Sequence, residues 1–457
     1  MKFSILKDEI IPHIPVHLRG FAARIDKRNE GVHDTIYASV VLLQENKTVA
    51  IINMDLIGGD RSFTDGIKEA IFEKFGLLED EIILNFSHTH SAVAITGEDA
   101  SKRNRPYSFN HYSSTKDADI EHTEDVKYYN IVKVKILTMI ETGLNNLIEG
   151  NAYVLRGKSK FGVSRRHPHE DGVIWKPYFN EDSMDSDLYL IKLEDNKGNI
   201  RGLLYNYACH PTSMGPDNYL ISADYPGVVR RNLEEQNPGM IAMFLQGCGA
   251  DIKPVASTED GIFKQCTFEE LEVAGASLAE EIQNLLKLDE GKDVNSSWRR
   301  IDGNFQTKSS DLKLYSESWD LEKWVEIEEN QEKPEYIRKA ASRMVGKMKT
   351  GKVNNYIPYY ISYLRLDDKT SIVALENEVV SDIGKDIKKI FHDENIITLG
   401  YSNSVMCYIP TKKVLSGGGY ESTSFISAGL PGQFVDEVED IIIGRVALMT
   451  KEQFSKS

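Results

Sequence analysis

Two short apolar runs, Thr48-Val49-Ala50-Ile51-Ile52-Asn53-Met54 and Ile82-Ile83-Leu84, bracket a stretch whose apolar positions Ile67, Ala70, Ile71 and Phe75 recur at helical spacing until Gly76. The runs suit buried strands, the recurrence suits a helix, and Gly76 suits its C-terminal stop. A strand–helix–strand order predicts a crossover between strands of one sheet, and open α/β sheets gather ligands at strand ends. Both runs lead into polar residues: Asp55 after the first, Asn85-Phe86-Ser87-His88-Thr89-His90-Ser91 after the second. A strand returns every second side chain to one face, so His88 and His90 are expected to leave the strand end pointing together. Neutral imidazole is the commonest zinc ligand, and such a pair suits one metal ion; a surface turn holding two His is the competing reading.

The chain's 457 residues allow two or three average domains, or one large α/β domain with insertions. At 41% hydrophobic and 27% charged residues it reads as soluble and globular. No stretch is long and apolar enough to span a membrane, and Met1-Lys2-Phe3-Ser4-Ile5-Leu6-Lys7-Asp8 does not resemble a signal peptide, so a cytoplasmic location without stable membrane association is expected. Cys209, Cys248, Cys266 and Cys407 lie far apart with no CxxC spacing, which argues against a thiolate zinc cluster or a disulfide framework. The formal charge of −16 repels nucleic acid. The expected partner is a small-molecule substrate.

Residues 98–124 are polar and read as a long loop beside the His pair, followed by an amphipathic helix over 126–149 and short strands leading to Ser164-Arg165-Arg166. Leu188 to Leu193 and Gly202 to Ala208, separated by the turn signal Asp195-Asn196-Lys197-Gly198, read as paired strands. Thr267 and Glu270 form a capping box ahead of a helical face through Leu271, Ala274, Leu278, Ile282 and Leu285. Residues 297–352 are strongly charged with a helical middle, as expected of an inserted subdomain covering the core. Strand-like alternation over 359–380, a helix over 382–391 and a closing helix over 433–449 complete the reading.

Further segments stand out: His210-Pro211-Thr212-Ser213, Ser222-Ala223-Asp224-Tyr225-Pro226-Gly227, Gln246-Gly247-Cys248-Gly249-Ala250-Asp251-Ile252-Lys253-Pro254, Glu376-Asn377-Glu378, Cys407-Tyr408-Ile409-Pro410 and Gly417-Gly418-Gly419-Tyr420-Glu421. With His88-Thr89-His90-Ser91 they resemble, in order and over about 20–444, the catalytic domain of the neutral (alkaline, non-lysosomal) ceramidase family. The resemblance implies a single large α/β catalytic domain of mixed sheets flanked by helices. It also implies one zinc ion held by His88, His210, Glu378 and Tyr408, with His90, Arg165 and Tyr420 around the substrate's polar group. Two imidazoles, a carboxylate and a phenolate suit zinc, which lowers the pKa of water to about 7. Glu376, two residues from Glu378, is expected to share its strand face and competes with it; Arg166 competes with Arg165.

The match breaks at Lys253, which stands where the family carries a serine in the active site. Lys253 is a candidate pocket residue that can pair with Asp251, meet an anionic substrate group or point to solvent. Secreted ceramidases also carry a C-terminal immunoglobulin-like domain, and none is expected here. These departures favour a small soluble substrate over ceramide. The leading expectation is a zinc-dependent amide hydrolase. The alternatives are ester, lactone or glycosidic cleavage of a carbohydrate-like substrate, or a non-catalytic zinc-binding module.

Overall fold

The strand–helix–strand unit is present in the computed structural model, which describes residues 1–24, 27–97, 118–291, 293, 295–391 and 393–451. Strand Thr48–Met54 lies parallel to Ile82–Phe86, with Ile52 opposite Leu84, and helix Arg61–Phe75 connects them. Local chemistry sets both helix ends. The Asp60 carboxylate accepts the Phe63 N–H at 2.8 Å, and Gly76 turns into the left-handed region at φ 74° while its N–H reaches the Phe72 carbonyl. The predicted stripe is buried at Ile67 and Ile71 against the sheet.

The same unit occurs twice more. Strand Ile200–Tyr207, helix Asp224–Gln236 and the parallel strand Ile241–Gln246 form the second, and strand Thr370–Leu375, helix Ser381–Ile390 and the parallel strand Asn395–Leu399 form the third. The first two belong to a mixed sheet with the spatial order Ile241–Gln246, Ile200–Tyr207, Asp187–Asp195, Ile148–Lys158, Lys2–Glu9, Tyr37–Gln44, Thr48–Met54, Ile82–Phe86; Arg299–Ile301 adds to Ile148–Lys158. The outermost strands of this order meet through Asn85, whose Oδ1 accepts the Gln246 N–H at 2.8 Å. The third unit belongs to a smaller sheet, Gln306–Tyr315, Tyr356–Asp367, Thr370–Leu375, Asn395–Leu399.

The two sheets face each other across one apolar layer that includes Val41, Ile51, Ile191, Leu245, Leu364, Ile372 and Ile397. Helices cover the outer faces. Arg61–Phe75 and Ala118–Asn145 cover one half of the large sheet, Asp224–Gln236 and Phe268–Leu286 the other, and Ser381–Ile390 with Val438–Lys451 the small sheet. Burial on both faces explains why these strands are continuous apolar runs rather than alternating ones. The architecture is α/β, as expected.

Several boundaries differ from the sequence reading. Of the polar stretch 98–124, residues 98–117 lie outside the described residues, while the rest begins a helix at Ala118 that ends at Asn145; Ile148 and Glu149 open the strand Ile148–Lys158. Within 297–352, strands Arg299–Ile301 and Gln306–Tyr315 join the two main sheets, and only Leu321–Glu329 and Glu335–Lys349 are helical. Trp324, Ala341 and Met344 bury that helix pair in the small sheet's outer core. The last helix starts at Val438 rather than 433, because Phe434 bridges to Ser316 instead. The capping box holds: Thr267 and Glu270 exchange both bonds at the start of Phe268–Leu286. All four cysteines are free and buried. Among the described residues no helix is long and apolar enough to cross a membrane.

Candidate metal centre

All six parallel strands of the three crossover units end around one point. Past Thr48–Met54 comes the Ile57 carbonyl, past Ile82–Phe86 come His88 and His90, and past Ile200–Tyr207 comes His210. Past Ile241–Gln246 comes the Gly249 carbonyl, past Thr370–Leu375 Glu378, and past Asn395–Leu399 Tyr401. This is where parallel α/β sheets assemble sites, and here two sheets contribute.

Glu378 Oε2 lies 3.3 Å from His88 Nε2 and 3.1 Å from His210 Nε2, and His90 Nε2 lies 3.2 Å from His88 Nε2. Metal bonds of about 2.0–2.2 Å in a tetrahedral shell separate neighbouring donors by about 3.3–3.6 Å, so the gaps from Glu378 to His88 and His210 come within about 0.2 Å of the edges of a coordination tetrahedron. His88, His90 and His210 can all offer a ring nitrogen within 4.8 Å of one another, and all three are buried. The residues present therefore fit a metal ion.

The three imidazoles are not equivalent. His88 Nδ1 meets the Ile57 carbonyl at 2.5 Å, and His210 Nδ1 meets the Gly249 carbonyl at 2.9 Å. A carbonyl accepts only, so each Nδ1 carries a proton, and with an ion between the rings and Glu378 each Nε2 would present its lone pair to that ion. Tyr401, whose hydroxyl is 3.1 Å from His210 Nδ1, packs its ring 4.4 Å from that of His88. His90 has no such anchor: among the described residues its buried Nδ1 has no hydrogen-bond partner. It sits against Gly20, where a Cβ would stand 2.4 Å from Nδ1.

Burial, then the neighbouring His88 and His210, hold the His90 imidazole well below its ordinary pKa of 6.5. Burial chiefly brings His210 down to about 4. Burial would raise Glu378, but His88 and His210 outweigh it and keep the carboxyl well below its usual range. The centre thus pairs the neutral imidazoles of His90 and His210 with a carboxylate at neutral pH.

The expectation that His88 and His90 meet by strand alternation needs correction. They do meet, but the strand ends at Phe86 and His88 turns to φ 64°, a left-handed conformation. Glu376 and Glu378 likewise do not share a strand face. Asn377 at φ 69° separates them, and Glu376 points away to Arg61 Nη2 at 2.8 Å and the Tyr360 N–H at 2.8 Å. Glu378 alone of the two faces the imidazoles. Asp224, Tyr401 and Asn403 are also left-handed, so five non-glycine residues near the site hold an uncommon conformation.

Tyr408 stands opposite Glu378 in a short parallel pair, Glu378–Val379 with Tyr408–Ile409, and its ring stacks over His210 at 6.3 Å. The guanidinium of Arg165 lies 5.4 Å from that ring, 5.7 Å from the Tyr420 ring and 4.5 Å from Trp175. Arg165 Nε donates to Glu421 at 2.7 Å, while its buried Nη2 has no partner among the described residues. Arg166 is spent elsewhere, on the other Glu421 oxygen at 2.5 Å and the Gly418 carbonyl at 2.8 Å. Tyr420 is exposed at the rim, 5.3 Å ring to ring from Tyr408. Lys253 neither pairs with Asp251 nor points to solvent: it is buried and donates to the carbonyl and hydroxyl of Thr212. Asp251 instead accepts the N–H and hydroxyl of Ser381.

Three contributors escaped the sequence reading. Tyr401 follows the strand Asn395–Leu399, whose polar turn Gly400-Tyr401-Ser402-Asn403 was the available signal. Glu421 was quoted in a motif without a role, and it orients both arginines. Asp224 accepts the Ser213 hydroxyl at 2.6 Å and N–H at 3.0 Å, fixing the turn that follows His210.

Fold and site define an α/β protein with a buried histidine–carboxylate centre at its strand ends, of the kind that holds a divalent metal. Residues 8–284 match the family model described as neutral/alkaline non-lysosomal ceramidase, N-terminal, and the chain belongs to that family. It is 21% identical over 258 residues to a neutral ceramidase of Pseudomonas aeruginosa, a match covering 54% of this chain and 36% of that protein's length. The crystal structure of neutral ceramidase from Pseudomonas aeruginosa superposes with a TM-score of 0.70 at 15% identity, covering 97% of this chain and 72% of that one. A ceramidase complexed with C2 gives a TM-score of 0.70 at 15% identity over 97% of this chain and 73% of the other. At that identity the likeness shows the fold.

Proposed function

We propose that this protein is a zinc-dependent hydrolase that cleaves the C–N bond of an N-acyl amide. The observation that carries the reading is one carboxylate oxygen, Glu378 Oε2, bridging two Nε2 atoms whose rings are each locked by a backbone carbonyl. His88, His210, Glu378 and Tyr408 are the proposed holders of the ion. His90, with Nδ1 unanchored, is better suited to moving a proton than to ligation, because ligating imidazoles usually donate from the other nitrogen. Zinc supplies Lewis acidity here, polarising a carbonyl and lowering the pKa of water to about 7.

The chain's own residues do the rest. Neutral His90 accepts a proton from the attacking water at Nε2 and returns it to the departing nitrogen. Arg165, held by Glu421, offers the free Nη2 to the oxygen that gains charge as water adds to the carbonyl carbon, and Tyr420 closes the rim over it. The C–N bond breaks, leaving a carboxylic acid and an amine. Lys253 lines the pocket beside them. A soluble substrate and a cytoplasmic setting are part of the proposal; the free, buried cysteines fit a reducing compartment.

Metal content and turnover test this together. Purified protein is expected to carry about one zinc per chain and to release fatty acid from N-acyl compounds, with ceramide, acyl esters and glycosides as parallel arms. His88→Ala and His210→Ala are each expected to lose both metal and turnover. Variants that keep both would end the reading, and hydrolysis confined to esters or glycosides would change the bond assigned.

A further inference from the structure

We propose that Lys253 is a receptor for an anionic group, so that the preferred substrate is an N-acyl compound whose amine part carries a carboxylate or sulfonate, as N-acyl amino acids do. This rests on the amide-hydrolase reading and names its substrate class. Lys253 lies in strand Ile252–Pro254, which pairs with Gly162–His169 so that Lys253 faces Val163. Arg165 is two residues further along that partner strand, hence on the same face, and its N–H donates to the Asp251 carbonyl at 2.9 Å. The pairing brings two cations to one wall of the site.

Their charges are treated differently. Arg165 has Glu421. Lys253, 7% exposed, donates to the Thr212 carbonyl at 3.1 Å and hydroxyl at 3.0 Å and lies 5.6 Å from the Phe263 ring centroid, and among the described residues no carboxylate forms an ion pair with it. The neighbouring acids are engaged elsewhere: Asp224 by Ser213 and the Tyr225 N–H, Asp251 by Ser381. Lysine is almost never buried unless paired, because an isolated buried cation loses its hydration without a compensating charge. An ammonium has three donors, and Thr212 takes two. A substrate anion would take the third and supply the direct ion pair that Lys253 lacks. The mouth is suited to the apolar remainder of such a molecule: Trp175 and Tyr420 are 52% and 43% exposed, with Phe263 packed against Trp175.

The test compares N-hexanoylglycine, N-hexanoyltaurine and neutral N-hexanoylglycinamide on zinc-loaded wild type and Lys253→Met, by calorimetric binding and by kcat/KM. Wild type should favour at least one anionic compound over the amide by about tenfold or more, and Lys253→Met should abolish that ratio while keeping its zinc; glycine and taurine arms separate a carboxylate site from a general anion site. Lys253→Met should also raise the melting temperature of the substrate-free protein, because it deletes an unpaired buried charge, whereas a merely structural lysine would lower it. A ratio that survives in Lys253→Met assigns anion preference to the metal and overturns the proposal, as does a wild type with no preference. Absence of turnover on every compound counts against the amide-hydrolase reading, while the calorimetric ratio still decides Lys253.

Discussion

Replacing Arg230 with Met tests the buried pair that braces the turn beneath His88. Arg230 Nη1 lies 2.7 Å from Asp55 Oδ2, both side chains are buried, and Asp55 also accepts the Tyr37 N–H at 2.9 Å. The next residues, Leu56 and Ile57, provide the carbonyls that receive the His88 N–H and Nδ1. Methionine keeps most of the apolar stem but leaves Asp55 a buried carboxylate without its cation, which costs about 3–5 kcal/mol. Unfolding entropy of roughly 2 cal/mol/K per residue gives this 457-residue chain roughly 1 kcal/mol/K, so the loss reads as a Tm lowered by about 3–5 °C. Burial raises the Asp55 carboxyl and Arg230 opposes that rise, so the variant's carboxyl moves further up. A carboxyl whose folded pKa exceeds its unfolded value favours the folded state when protonated and loses that advantage as pH rises; the deficit should therefore be smaller near about pH 5 than near about pH 8. Thermal unfolding of wild type, Arg230→Met, Asp55→Asn and the double variant measures both effects. A fall of less than about 1 °C at the higher pH, or a double variant that merely sums the single losses, would refute the coupling.

Glu378→Gln is expected to weaken zinc affinity more than tenfold, whereas Glu376→Gln should keep the metal and lower Tm, because Arg61 loses its buried partner and keeps only the exposed Asp311; equilibrium dialysis with metal analysis separates them. Tyr401→Phe removes a hydroxyl 3.1 Å from His210 Nδ1 but leaves the Gly249 carbonyl that anchors that N–H, so it is expected to cost less than about tenfold in metal affinity with the fold intact by circular dichroism. In metal-free protein His210 titrates at about 4, below the ordinary 6.5 of an unfolded chain. The unfolded state therefore binds more protons in that window, and stability should fall as pH drops from about 6.5 to about 4. Urea midpoints of wild type and His210→Ala across that range read the effect, which should be weaker in the variant.

What the sequence disclosed followed from period and punctuation. Gly76 ends a helix whose stripe includes Ile67 and Ile71, the Asp195–Gly198 turn joins two strands, and Thr267 caps its helix, because each signal is local. The start at Ala118 was hidden because the opening turns are polar and offer no stripe. The site residues could be nominated by motif, but their geometry depends on backbone that leaves strand conformation where alternation would have continued it. His88 and Asn377 are both left-handed, so counting by twos put His88 in the right company for the wrong reason and gave Glu376 and Glu378 a common face they lack. Tyr401 reaches His210 across a separation of 191 residues, and no local pattern encodes such a partner.

The four proposed donors divide evenly along the chain. A protein cut after residue 284, where the family match ends, would retain His88 and His210 yet lack Glu378 and Tyr408, along with the whole smaller sheet. Two imidazoles on such a stump would face an exposed apolar wall instead of a carboxylate. On the proposed ligand set, the part that carries the recognisable signature is insufficient as a minimal working unit, and any trimmed version must keep the strands that deliver the two oxygen donors.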